Sequence, residues 1–129
     1  ALLIKINRLI KPTENILNAQ NKNNMFRIAK ALEFISKNFS SFIKIQTLAV
    51  LCNMSITNFR RVFKETMGFP PQDYIIRLRI QLASVLLLDT DCSILDISLK
   101  VGYMSLSSFN RHFKKIMGLA PREYRVKST

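Results

Sequence analysis

Met54-Ser55-Ile56-Thr57-Asn58-Phe59-Arg60-Arg61-Val62-Phe63-Lys64-Glu65-Thr66-Met67-Gly68 returns fifty positions later as Met104-Ser105-Leu106-Ser107-Ser108-Phe109-Asn110-Arg111-His112-Phe113-Lys114-Lys115-Ile116-Met117-Gly118. Met, Ser, Phe, Arg, Phe, Lys, Met and Gly recur in register, and Pro71 and Tyr74 are echoed by Pro121 and Tyr124. A repeat this dense means that the chain carries one small unit twice. Each copy has one face built to pack and another built to meet something negative.

The local signals within a copy are those of a short helix, a tight turn and a longer helix. Ser55 and Ser105 stand where an N-cap is needed, and Gly68 and Gly118 where a helix stops. Asn53 and Gly102 suit the turn, since Gly lacks a Cβ and Asn tolerates the left-handed region. They differ by one position in the alignment of the copies, so the two turns are expected to differ. On a helical wheel Phe59, Phe63 and Met67 form the packing face of the first longer helix, with Val62 and Thr66 beside them. Thr57, Arg60, Arg61 and Lys64 share another face at i, i+3, i+4 and i+7. In the second copy Ser107, Asn110, Arg111 and Lys114 lie opposite Phe109, Phe113 and Met117. Arg binds guanine through two bonds and Asn binds adenine likewise. Lys64 and Lys114, one turn further on, suit phosphates.

The rest of the chain is helical in pattern. Ile28, Leu32 and Ile35 predict a helix from Phe26 to about Asn38. A short helix follows over Ile45 to Cys52. Pro70 and Pro71 open a long helix to about Leu88, with Tyr74, Ile75, Leu78, Leu82 and Leu86 at core spacing. Asp91 or Ser93 caps a short helix from Ile94 to Val101, and Pro121 opens a last turn through Tyr124. Strict alternation is absent, so no strand competes. The expectation is an all-α fold of about seven helices. Residues 1 to about 12 suit a short helix with Leu3, Ile6, Leu9 and Ile10 on one side, ended by Pro12. The polar stretch 18–24 reads as a linker. Residues 1–24 are then either the end of an upstream regulatory domain or an N-terminal arm packed on this one.

Composition narrows the function. The 129 residues carry 20 Lys+Arg against 8 Asp+Glu, a net charge of +12. Such a field favours a polyanion, either nucleic acid or an anionic membrane surface. A membrane-surface module does not require two donor faces on matching cores. RNA recognition would want exposed aromatics for stacking, and the Phe residues read as core. Cys52 and Cys92 have no metal or redox spacing and read as small buried residues. No apolar run is long enough to span a membrane. An enzyme is not expected: the acids are scattered, His112 is the only histidine, and no Gly-rich phosphate loop or metal cluster occurs. His112 reads as a packing or phosphate-side residue. No cofactor or metal is expected.

Two stretches carry a family resemblance. One is Ile94-x-x-Ile97-x-x-x-Val101-Gly102-Tyr103-x-Ser105-x-x-x-Phe109-x-Arg111-x-Phe113-Lys114-Lys115-x-x-Gly118-x-x-Pro121-x-x-Tyr124-Arg125. The other is Tyr74-Ile75-Ile76-Arg77-Leu78-Arg79-Ile80-Gln81-Leu82-Ala83 with Leu86-Leu87. From Phe26 to Arg125 the chain resembles the DNA-binding domain of AraC/XylS-type bacterial transcription regulators. The resemblance implies a DNA-binding domain over 25–129, with a first helix-turn-helix at 25–70, a linker helix at 71–88 and a second helix-turn-helix at 89–129. Each unit is expected to place its second helix in a major groove, the two about one helical turn or 34 Å apart. Carried over by position, Thr57, Arg60 and Arg61 would face bases in the first groove, and Ser107, Ser108, Asn110 and Arg111 in the second. Lys64, Lys114 and Lys115 would touch the DNA backbone, as would the helix start near Gln46.

The implied partners are double-stranded promoter DNA and RNA polymerase, with the protein acting as an activator in the bacterial cytoplasm at the nucleoid. A small-molecule effector or a dimer partner would act through a further domain, and no membrane is involved. Ser98 departs from the family's usual Ala, and its hydroxyl must find a backbone partner. Asn53 replaces a Gly or small residue. Leu106, at the mouth of the second repeat helix, either meets a thymine methyl or packs within the domain.

Overall fold

Both copies of the repeat helix begin and end alike. Ser55 Oγ accepts the Asn58 backbone N–H at 3.2 Å, and Ser105 Oγ accepts that of Ser108 at 3.3 Å. At the far ends Gly68 and Gly118 donate their N–H groups to the carbonyls of Lys64 and Lys114, each at 2.8 Å. The structure is a computed structural model and describes residues 22–127. It contains α1 (Ala29–Asn38), α2 (Ile45–Leu51), α3 (Ile56–Met67), α4 (Pro71–Asp89), α5 (Ile94–Lys100), α6 (Leu106–Met117) and α7 (Pro121–Lys127). Residues 22–27 are also helical. No strand occurs among the described residues. The helix expected over residues 1–12 lies outside them.

Two cores form, and α4 serves both. Ile28, Ala31, Ile35, Leu48, Ala49, Phe59, Val62, Phe63 and Ile75 make the first. Ile80, Ala83, Leu87, Ile97, Val101, Tyr103, Phe109 and Phe113 make the second. The long helix changes allegiance between Ile75 and Ile80, so its apolar residues are spread around it rather than gathered in one stripe. The echoed tyrosines are explained by packing. Tyr74 stands edge-on to Phe63 at 5.4 Å, and Tyr124 stands edge-on to Phe113 at 5.4 Å. Phe59–Phe63 and Phe109–Phe113 lie at 5.6 and 5.8 Å. Such pairs add about 0.5–1.5 kcal/mol beyond their burial.

The repeat is longer than the matching letters. Ile28, Ala31 and Ile35 of the first unit correspond to Ile80, Ala83 and Leu87, with the same spacing and complete or near-complete burial. Asn38 donates back to the Phe34 carbonyl at 2.9 Å, and Thr90 to the Leu86 carbonyl at 2.6 Å, in the corresponding places. The second half of α4 is thus the counterpart of α1.

The turns share their first step. Asn53 (φ 55°) and Gly102 (φ 104°) are both left-handed. The residue after each donates to an equivalent carbonyl: Met54 to Ala49 at 3.0 Å, Tyr103 to Ser98 at 2.9 Å. The one-residue difference falls afterwards, as Met104, which is 100% exposed. The Ser98 hydroxyl is satisfied by the Leu95 carbonyl at 2.7 Å.

Some expectations shift. Ile28 (φ −104°, ψ 8°) interrupts the first helix, so α1 starts at Ala29. The last residues of the polar stretch 18–24 are helical, and the Asn24 carbonyl accepts the Ile28 N–H at 3.1 Å. The N-cap at α5 is Ser93, whose Oγ accepts the Asp96 N–H at 3.0 Å. The last helix runs on to Lys127 because Arg125 anchors it, donating to the Leu87 and Thr90 carbonyls at 2.9 and 3.3 Å. Cys52 and Cys92 are free and half-buried, not fully buried.

Phe63 and Phe113 are completely buried. Phe63→Ala and Phe113→Ala are each expected to cost about 3–5 kcal/mol of stability. Thermal or urea melts check this, and an unchanged midpoint would contradict the face assignment.

Candidate nucleic-acid interface

The cores determine which side chains are left outside. With Phe59, Val62 and Phe63 buried, α3 presents Thr57, Arg60, Arg61 and Lys64 to solvent. With Phe109 and Phe113 buried, α6 presents Ser107, Asn110, Arg111, Lys114 and Lys115. Ser108 is half-buried, its N–H engaged by the cap. Gln46 is exposed in the first turn of α2. Every residue singled out on the two repeat helices is therefore on or beside an open face.

These donors are not in equal states. Two ion pairs form among the described residues, Lys37–Glu33 at 2.9 Å and Arg61–Glu65 at 3.2 Å. Arg61 also donates from Nη2 to Asn58 Oδ1 at 2.6 Å. It is held along its own helix rather than reaching outward. An exposed i,i+4 pair of this kind is worth at most about 0.5 kcal/mol, so a phosphate or a guanine edge competes with it readily. Arg60, Lys64, Arg111 and Lys114 take part in neither ion pair.

Residues outside the sequence reading join these faces. Arg122, just inside the start of α7, lines a groove with Asn110, Arg111 and Lys114, and Leu106 forms part of the same wall. Leu106 is 38% exposed, so it is not withdrawn into the core. Arg27 and Lys30 line a second groove with Asn53 and Asn58 beside the first turn. The signal for Arg122 was its place directly after Pro121, at the opening of a helix. Arg27 and Lys30 had no such signal, because only the packing of α1 and of the helical residues just ahead of it brings them to the turn.

His112 is a packing residue. Its Nδ1 lies 2.7 Å from the Tyr103 hydroxyl, and its ring meets the Tyr103 ring edge-on at 5.4 Å. Burial pushes the Tyr103 phenol up to about 12, against the opposing charges of Arg79 and Arg111. Burial, then the charges of Arg111, Lys115 and Arg79, hold the His112 imidazole below its ordinary value, with Asp73 opposing them. No cluster of His, Cys, Asp and Glu suited to a metal ion occurs among the described residues. None of the described helices is long and apolar enough to cross a membrane.

Known proteins share this arrangement. The family described as "Helix-turn-helix domain" matches residues 48–127, more than half of the chain. The lactose operon transcription activator of Staphylococcus xylosus is 34% identical over 76 residues, covering 59% of this chain and 27% of that protein. The C-terminal domain of AraT, a response regulator from Geobacillus stearothermophilus, superposes with a TM-score of 0.73 at 30% identity, covering 78% of this chain and 84% of that one. The DNA-binding domain of AdpA, a global transcriptional factor solved in complex with a target DNA, gives a TM-score of 0.73 at 26% identity, covering 78% and 90%. The chain spans a fifth to a third of the length of the curated relatives it matches.

The lowered His112 value has a consequence for stability. The folded state binds the His112 proton less readily than the unfolded state, whose value is near 6.5. Well above pH 6.5 neither form is protonated and the contribution is full. As pH falls below that value the unfolded chain takes the proton first, so stability drops until the folded histidine titrates too. Melting temperatures are expected to fall between pH 7 and 5.5, and His112→Phe should flatten the profile in that window. In the interface itself, Glu65→Gln removes the ion pair to Arg61 and is expected to tighten DNA binding by about twofold, the worth of one released pair; weaker binding in a gel-shift titration would contradict this.

Proposed function

The chain belongs to the AraC/XylS family of helix-turn-helix DNA-binding domains, and from that premise we propose that it reads one DNA site with α3 and α6 in adjacent major grooves. The observation that carries this reading is the pair of matched donor faces. Each lies on a helix with the same cap, the same stop and the same aromatic backing. A single basic helix face is commonplace; two built alike on one linker are not expected of a surface that merely stays solvated.

In this reading Thr57, Arg60 and Arg61 contact bases in the first groove, and Ser107, Ser108, Asn110 and Arg111 in the second. Lys64, Lys114, Lys115 and Gln46 hold phosphates, and Arg122 joins them. Base contacts give discrimination, while phosphate contacts give affinity that salt weakens. The domain then spans 25–129, with 1–24 ahead of it as an arm or linker, or as the end of an upstream regulatory domain. The regulator so formed activates transcription through RNA polymerase at a promoter. Any effector or dimer contact is made elsewhere in the protein.

Selection of binding sites from random duplex DNA at physiological salt tests this directly. Two enriched blocks about one helical turn apart are expected. A single block would reduce one unit to a clamp, and salt-sensitive binding without enrichment would mean phosphate contacts alone. On the enriched site, Arg111→Ala is expected to cost about 1–3 kcal/mol and to relax sequence preference at its position. Lys114→Ala is expected to weaken binding to all sequences alike and to lower the salt slope by about one.

A further inference from the structure

We propose that Arg79, Gly102 and Tyr103 are positioning residues that set the spacing and rotation between the two recognition helices, and so decide what separation of the two DNA blocks this protein accepts. The proposal rests on the two-groove reading above.

The linker alone leaves this setting loose. The 19 residues of α4 span about 28 Å as a helix, which fixes a distance. Helices of this length still bend, and one connection leaves two units free to rock about it. A second contact away from the α4 axis removes that freedom, and the structure contains one.

The loop after α1, in the first unit, meets the turn of the second unit. A Cβ on Gly102 would lie 2.6 Å from the Ser40 oxygen, 2.8 Å from its carbonyl carbon and 2.9 Å from its Cα. These are backbone atoms that cannot swing aside. The first unit makes the same turn with Asn53, which has a side chain and is exposed. Asn53 at φ 55° keeps to the left-handed region that Asn tolerates, whereas at Gly102 the backbone (φ 104°) and the close approach of Ser40 both exclude a Cβ.

Arg79 locks the approaching loop. Its Nε donates to the Phe39 carbonyl at 2.6 Å and its Nη2 to the Ser41 carbonyl at 2.9 Å, so it grips both sides of Ser40. Phe39 caps the C-terminal end of α1, where a cation is favoured. The same guanidinium lies 5.7 Å from the centre of the Tyr103 ring. Tyr103 packs edge-on against Phe109 at 5.4 Å and bonds to His112, both on α6. An unbroken strut thus runs from the end of α1 through Arg79 and Tyr103 to the second recognition helix. Arg125 makes similar carbonyl bonds at the end of α4, but those stay within the second unit.

On DNA, moving one block by a single base pair shifts it by about 3.4 Å and turns it by about 34°. A braced pair of helices accepts one separation, and a rocking pair accepts its neighbours. The test uses the purified chain and duplexes whose two selected blocks are moved one base pair closer or further apart. The wild type is expected to prefer one separation by about tenfold or more, the size of a lost base contact. Arg79→Met and Gly102→Ala are expected to bind a duplex carrying the first block alone within about twofold of wild type, while their separation preference shrinks to about threefold or less. An unchanged preference in Arg79→Met, with helicity and single-block binding intact, overturns the proposal, as does loss of folding in both variants. If the wild type itself binds two blocks no better than one, the two-groove reading fails as well. Selectivity in the wild type with no change in the variants defeats the strut alone.

Discussion

Three short helices enclose too little apolar surface to be stable on their own. The chain meets that constraint by sharing one helix between two units. The first part of α4 closes the first core through Ile75, and its second part opens the second core through Ile80, Ala83 and Leu87. Each unit would lack a wall without it. The same sharing ties the two repeat helices, α3 and α6, to one element.

The interface follows from the cores. Burying Phe59, Phe63, Phe109 and Phe113 rotates the polar sides of α3 and α6 outward. What those sides carry is mostly cationic, on a chain of net charge +12, which attracts a polyanion over distance before any contact forms. The two faces are alike in plan and different in detail. The first holds Arg61 between Asn58 and Glu65. The second puts Leu106 beside Asn110 and Arg111 and is preceded by the extra, fully exposed Met104. In the two-groove reading proposed above, such asymmetry suits a site whose two blocks differ in sequence, since equal units would favour equal blocks.

Much of this was legible in the letters. The repeated Phe-x3-Phe spacing located the packing faces, the Ser caps and Gly stops located the ends of α3 and α6, and the wheel put Arg60, Lys64, Asn110 and Lys114 outside, where they are found. Other parts were not legible. The likeness of α1 to the second half of α4 was hidden because few residues are shared, Ile28 with Ile80 and Ala31 with Ala83, and they are offset by 52 positions rather than the fifty of the repeat helices. The restraint of Arg61 depends on side-chain conformations that a wheel does not specify. Arg27 and Lys30 reach the first turn only through helix packing.

The sequence by itself determined the helices, their caps and the division of each into a packing face and a donor face. These depend on residues within a turn or two of one another, through backbone hydrogen bonds and helical periodicity. Only the tertiary structure decided how the two units stand relative to each other. That setting rests on Ser40 meeting Gly102, and on Arg79 reaching Phe39 and Ser41 while lying over Tyr103. These residues are far apart along the chain, and local periodicity carries no information about contacts made across that distance.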